Sequence, residues 1–363
     1  MAGYKNRKGN CKKVLILHAK TGGGHFLASK SLEEYIKENF RNIKLLNIDG
    51  LKNAPFPYPF MPFFWDILSE IPFLWKNIFY PFNIKFLYNL TIFIQNLLLF
   101  PCLKRLIIFF NPDIIFLTHP FFIPPLFKIK KKLKKKFYLI TVLTDFGEIH
   151  TSWLSKGSDF LWIPSNFTFN EIKDKIKEIK YEILGYPVRK GFLEKKEFER
   201  NGILIMGGGK GKGPILEILK EIRKNFKDLK ITVICGRNRK LYKKILNFKE
   251  KNEDKNIEVI AFTDKVAEYL KRSILIISKP GGSTVAEAVY TKTPFLAIKP
   301  CPGQETGNVK FLEKIKAGKK IKSIKDLYEI IEKIFKEEEK FEFEEDLIKY
   351  EYKKNEFLLK ILS

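Results

Sequence analysis

Cysteine is scarce in these 363 residues. Only Cys11, Cys102, Cys235 and Cys301 occur, no two of them spaced as Cys-x-x-Cys, which argues against both a disulfide framework and a zinc site. The first apolar run, residues 14–19, is too short for a signal-peptide core or a membrane span, so nothing suggests export and a reducing cytoplasm fits. No low-complexity tail is present. Neither lysine of the glycine-rich stretch 207–213 is followed by Ser or Thr, and its glycines miss the dinucleotide-binding spacing, which weakens ATPase and dehydrogenase readings. RNA-recognition, KH and zinc-finger signatures are also missing, so no nucleic-acid partner is expected despite the charge.

That charge is large. Lys and Arg number 67 against 41 Asp and Glu, a formal excess of +26 that attracts anionic headgroups or nucleotide diphosphates. Many of the lysines fall on expected amphipathic helices at 170–180 and 310–336, where they form solvated faces.

Short aliphatic runs at 14–19, 43–48, 114–118, 138–144 and 161–164 read as buried parallel strands with helices between them. After a polar stretch near 194–201 the rhythm restarts at 203–206, 231–235, 257–262, 274–278 and 295–298. The expected fold is therefore α/β, with two Rossmann-like domains facing a cleft. Residues 1–197 would form the first domain and 198–340 the second, while 341–363 form a helix that could lie back on the first.

Residues 55–100 differ from the rest, with 15 aromatic residues and only Asp66, Glu70, Lys76 and Lys85 as charges. Two readings stay open: buried core helices, or a surface that enters a lipid interface. Prolines and the pair Gln95–Asn96 argue against a true span. Seven lysines in residues 128–136 would complement such a surface by meeting anionic headgroups.

Four motifs carry chemistry. Thr21-Gly22-Gly23-Gly24-His25 joins the first strand to a helix, and His25 is either a helix-start residue with a local hydrogen bond or a base for a hydroxyl acceptor. The stretch 207–213, followed by Pro214, resembles a phosphate cradle. Lys279-Pro280-Gly281-Gly282-Ser283-Thr284 opens a helix whose free N–H groups suit a diphosphate, with Glu287 one turn further on. Finally, Gln304, Glu305 and Asn308 cluster polar groups of the kind that bind sugars.

Together with Asn111-Pro112-Asp113 through His119-Pro120, Thr144-Asp145-Phe146-Gly147 with His150 and Trp153, and Gly185-Tyr186-Pro187-Val188, these blocks resemble the diacylglycerol glycosyltransferase and monogalactosyldiacylglycerol synthase family, relatives of the peptidoglycan lipid N-acetylglucosaminyltransferase. The resemblance implies a GT-B fold and inverting transfer of glucose or galactose from UDP-glucose or UDP-galactose to diacylglycerol, with a polyprenyl-type lipid as the alternative acceptor. It implies no cofactor or catalytic metal, and a cytoplasmic protein lying peripherally on an anionic membrane surface at the inner face of the cell membrane. By the same resemblance His25 is the base, and Asp145 orients it or contacts the acceptor. Gly208, Gly209, Gly211, Arg237, Phe262, Gly281, Gly282, Ser283, Thr284, Glu287, Gln304, Glu305 and Asn308 fall on the donor side. Gly23, Gly24, His150 and Trp153 fall on the acceptor side.

Overall fold

The computed structural model describes residues 11–68, 71, 73, 85–134, 136–176, 178–196, 198–345 and 347–363. Part of the aromatic stretch, including Glu70, Lys76 and the prolines at 72 and 81, lies outside them, as does Lys135 of the lysine run.

Six parallel strands form the first sheet: β1 (Lys12–His18), β2 (Ile43–Asp49), β3 (Ile114–Leu117), β4 (Tyr138–Val142), β5 (Phe160–Ile163) and β6 (Lys180–Ile183). They lie in the order β2-β1-β3-β4-β5-β6. The second sheet holds β7 (Ile203–Met206), β8 (Ile231–Ile234), β9 (Ile257–Ile260), β10 (Leu275–Ser278), β11 (Phe295–Ala297) and β12 (Gly318–Lys320). Its order is β12-β11-β10-β7-β8-β9, again parallel throughout. The central strands are unbroken aliphatic runs because helices cover both sheet faces, and Val14, Leu15, Ile16 and Leu17 are all fully buried.

Both sheets reverse direction of growth once. In the first, the chain passes from β1 to β2 on one side and then crosses to β3 on the other; in the second, β7, β8 and β9 run one way before β10 returns beside β7. Crevices at the carboxyl ends of strands open at such points, and they place the loops after β1, β3, β7 and β10 where a ligand would sit.

Two edge strands escape the apolar-run reading. β6 replaces the end of the helix expected over 170–180, which stops at the helix Asn166–Ile172 and a following helical turn Lys173–Lys175. β12 likewise divides the helix expected over 310–336 into Gln304–Lys314 and Leu327–Phe335. Edge strands bury little side-chain area, so their sequences, KYEI and GKK, carry charges instead of an apolar signal. The last helix, Lys349–Leu362, is shorter than the segment 341–362 read as helical; it seats Phe357, Leu358 and Leu362 among Val14, Ile16 and Trp162 of the first sheet.

The described part of the aromatic stretch has a buried face and an exposed one. The helix Lys85–Phe110 packs Leu99, Leu103, Ile107 and Phe110 onto the first sheet, whereas Phe86, Phe93, Leu97 and Phe109 are exposed. Phe56, Phe60, Phe63 and Phe64 are exposed as well. Pro101 removes one internal hydrogen bond without ending this helix, which therefore is long and apolar enough to cross a membrane, the only such helix among the described residues.

The two lobes meet through glycine. A Cβ on Gly307 would stand 2.1 Å from the carbonyl carbon of Gly147, and one on Gly282 would stand 2.1 Å from the Thr144 carbonyl oxygen. Phe146 then enters the second lobe and stacks on Phe311 with 4.1 Å between ring centroids. Gly307→Ala should therefore push the lobes apart and cost about 1–3 kcal/mol of stability, despite alanine's better helix propensity. A chemical-denaturation midpoint equal to that of the parent would contradict this packing account.

Candidate active site

The site begins at the end of β1. Gly22 turns the chain with φ +81°, a conformation glycine adopts without strain, and the helix Gly24–Asn39 starts directly afterwards. His25 thus sits in the first turn of a helix at the crevice of the first sheet. The Thr118 hydroxyl donates to its carbonyl at 2.9 Å, while Thr144 Oγ1 lies 2.8 Å from its Nδ1. An Nδ1–H donated to Thr144 leaves the Nε2 lone pair available. The His119 ring stands edge-on to it with centroids 4.6 Å apart. His119 itself is fully committed: its Nδ1 accepts from the Phe121 N–H at 3.3 Å, so its Nε2 carries the proton it shares with Thr21 Oγ1 at 2.8 Å.

His25 opens onto a cavity of about 410 Å³ lined by Tyr58, Met61, Tyr88, Ile94, Gln95, Phe121, His150, Trp153 and Gln304, among others. Most of that wall is apolar. A second space of about 540 Å³ runs along the lobe boundary, lined by Gly22, Gly23, Gly24, Gly207, Gly208, Gly209, Lys210, Lys212, Arg237, Lys279, Gly281, Gly282, Ser283, Thr284, Gln304 and Glu305, with a few further residues. Gln304 lines both, so an apolar cavity and a polar glycine-walled cleft adjoin at one side chain.

The structure therefore brings together most of the residues expected from sequence, with corrections. Gly23 and Gly24 line the cleft rather than the acceptor cavity; a Cβ on Gly24 would meet Ser283 Oγ at 3.5 Å. His150 and Trp153 do line the cavity, Trp153 with its ring 5.9 Å from that of His25. Asp145 does not hold the imidazole, because its neighbour Thr144 takes that place. Instead Asp145 faces Asn308, whose Nδ2 donates to it at 3.4 Å and to the Pro280 carbonyl at 3.0 Å, while Asn308 Oδ1 accepts the Phe146 N–H at 2.8 Å. Asn308 is fully buried and ties the lobes together, so it lines neither space.

Gly211, at φ +58°, is a turn residue pressed against the Cys235 carbonyl and also lines neither space. Phe262 stands outside the cleft lining, half exposed, and carries the Arg237 guanidinium over its ring at 4.4 Å. Glu287 is buried beneath the helix start, with Arg189 Nη2 4.0 Å away. Glu305 accepts the Cys301 N–H at 2.6 Å, and Lys279 lies 3.9 Å from it. Lys210 and Lys212 both line the cleft.

Sequence reasoning missed Thr144, Thr21 and His119 as site residues, along with Tyr58 and Gln95 on the cavity wall. The first three sit inside or beside recognisable strand-end motifs, which was the available signal; Tyr58 and Gln95 had none beyond being polar groups in an apolar stretch.

Desolvation dominates the electrostatics. Burial holds His25 down to about 4, against a hydrogen bond from its ring to the Thr118 backbone, and lowers His119 well below the usual histidine value. It raises Asp145 to about 7, opposed by the Asn308 hydrogen bond, and Glu287 to about 7, opposed by Arg189. A carboxyl whose folded value lies above its unfolded one stabilises the fold at low pH, and that stabilisation is lost as pH rises through the folded value. For Glu287 the window ends near 7. The parent should lose about 1–2 kcal/mol relative to Glu287→Gln between about pH 6 and pH 8. Parallel stability curves for the two proteins over that range would show that Glu287 is ionised throughout.

Paired Rossmann-like lobes, with strand ends meeting across one cleft, make this a GT-B-type protein. Solved structures agree on the fold. Acinetobacter baumannii MurG aligns at TM-score 0.57 with 16% identity, covering 97% of this chain and 99% of that one. Arabidopsis thaliana UGT89C1 complexed with UDP-L-rhamnose aligns at 0.57 with 13% identity, covering 97% and 99%. Residues 25–188 match the monogalactosyldiacylglycerol (MGDG) synthase family model, and residues 202–357 match the glycosyltransferase family 28 C-terminal domain. The probable chloroplastic monogalactosyldiacylglycerol synthase of Nicotiana tabacum is 28% identical over 89% of this chain, which spans 64% of that relative's length. The processive diacylglycerol beta-glucosyltransferase of Bacillus pumilus is 27% identical over 91% of this chain and 88% of its own. The chain thus carries a monogalactosyldiacylglycerol synthase domain followed by a glycosyltransferase family 28 C-terminal domain, and over most of its length it is similar to diacylglycerol glycosyltransferases.

Proposed function

We propose that this protein is an inverting glycosyltransferase that moves glucose or galactose from a UDP-sugar to the free hydroxyl of diacylglycerol at a membrane surface. One observation carries the reading: the His25 imidazole opens onto an apolar cavity that adjoins a glycine-walled polar cleft at Gln304. An apolar acceptor and a phosphorylated donor need those two environments side by side.

In this reading residues 1–197 form the acceptor lobe and residues 198–340 the donor lobe, with 341–363 returning to the first. His25 Nε2 takes the acceptor hydroxyl proton, the oxygen attacks the anomeric carbon from the face opposite the leaving group, and the bond to the diphosphate breaks. Inversion follows from the single displacement. Burial keeps His25 unprotonated, and the diphosphate's negative charge raises its basicity once the donor is bound. Charge on departing UDP is met by N–H groups at Gly208, Gly209 and the helix start Gly282 to Thr284, and by Lys210, Lys212 and Lys279, in place of a metal ion.

Glu287 takes the ribose diol, Arg237 and Phe262 flank the base, and Gln304 with Glu305 contacts the sugar hydroxyls. His150 and Trp153 wall the acceptor. Tyr58 and Met61, on the cavity wall, alternate with exposed Phe56, Phe60, Phe63 and Phe64, which supports docking of that edge into lipid. The lysines at 128, 131 and 132 add attraction to an anionic surface on the cytoplasmic side, where the protein is peripheral.

Purified protein incubated with diacylglycerol liposomes and either UDP-glucose or UDP-galactose should form glycolipid visible by thin-layer chromatography; no product from either donor overturns the reading. His25→Ala should lower kcat by about 10²–10⁴ while UDP affinity stays within about threefold. Thr144→Val, which removes the group that orients the ring, should lower kcat by a smaller factor with the same unchanged affinity. Comparable loss of UDP binding in His25→Ala would place the imidazole on the donor instead.

A further inference from the structure

Gln95 is out of keeping with its surroundings. It lies in the apolar helix Lys85–Phe110, is only 3% exposed, and forms part of the wall of the His25 cavity. Among the described residues nothing hydrogen-bonds its side-chain amide. The other polar groups on that wall are mostly engaged: Tyr88 with Ser155 at 2.6 Å, Thr91 with the Leu87 carbonyl at 2.9 Å, and His119 through both nitrogens. The amide atoms are not sealed in the core but open to the cavity, where water can meet them. An apolar ligand that displaces this water leaves the amide unpaired unless the ligand itself brings a hydrogen-bonding group.

We propose that Gln95 is a specificity-determining residue that reads the ester linkage of the acceptor lipid by donating a hydrogen bond from Nε2 to an ester carbonyl. This rests on the glycolipid reading above. The acceptor's free hydroxyl and its nearest ester carbonyl belong to one glycerol backbone, so a donor on the cavity wall fixes the backbone while the hydroxyl meets His25. An ether-linked lipid presents the same hydroxyl and chains but replaces the carbonyl with a much poorer acceptor. It leaves the amide unpaired, and a site built to pair a polar group discriminates against a ligand that cannot pair it.

The test compares a diacylglycerol with the dialkylglycerol of equal chain length, presented in the same liposomes to the full chain with whichever UDP-sugar it uses. The parent should favour the diester by about tenfold or more in kcat/KM. Gln95→Leu should bring the diester down to the diether rate, leave the diether rate within about twofold, and unfold no earlier than the parent. Gln95→Met should behave alike, which guards against a folding defect peculiar to leucine. Equal use of both lipids by the parent, or a preference retained in both variants, overturns the role of Gln95 while leaving glycolipid synthesis standing. Absence of transfer by the parent to either lipid instead defeats the glycolipid reading, and this inference with it.

Discussion

The whole site depends on the contact between the segment Thr144 to Gly147 of the first lobe and the helices beginning at Gly282 and Gln304 of the second. Backbone meets backbone there because glycine leaves room at Gly147, Gly282 and Gly307. Asn308 fixes the register, its one amide reaching Phe146 in one lobe and Pro280 in the other. Tyr186 adds a second link, its hydroxyl 2.9 Å from Ser283 Oγ, and Ser283 in turn reaches the Gly24 carbonyl at 3.3 Å. The same short segment that holds the lobes together also supplies Thr144 to His25, so the position of the imidazole and the position of the helix beginning at Gly282 are set by one junction.

Among the described residues Asp145, Glu287, Glu345 and Lys354 are the buried charged groups, and the first two lie where the lobes meet. Asp145 and Glu287 are both pushed toward neutrality by desolvation, and both lie close to the helix starts that would receive a diphosphate. Neither is compensated by a close ion pair; Arg189 stays 4.0 Å from Glu287. Hydrogen bonds donated by a polar ligand would favour the charged form of such a carboxyl, and the proposed function uses Glu287 in that way.

The aromatic segment shows how one sequence feature can serve two ends. Helix Lys85–Phe110 places one stripe in the core and leaves another exposed, so its overall apolarity measures neither burial nor membrane contact by itself. Because the cavity opens within this segment, the residues that would meet lipid and those that line the acceptor space come from the same stretch of chain.

Much was legible in the residues alone. Aliphatic runs located ten of the strands because strands buried on both faces must be apolar, and the glycines after β1, β7 and β10 marked the strand ends where ligands bind. Edge strands β6 and β12 were invisible because KYEI and GKK carry too few aliphatic residues, whereas the other two edges, β2 and β9, retain enough of them to be read. Tertiary structure alone decided what each polar residue does. Asp145 and Asn308 looked like site groups and became the clasp between lobes, Gly23 and Gly24 moved to the cleft, and Thr144, His119 and Gln95 became part of the site. Spacing along the chain places a residue at a strand end or on a helix. Which neighbour its side chain meets depends on how two separately folded sheets approach each other, and that distance is set by packing between residues some 160 positions apart.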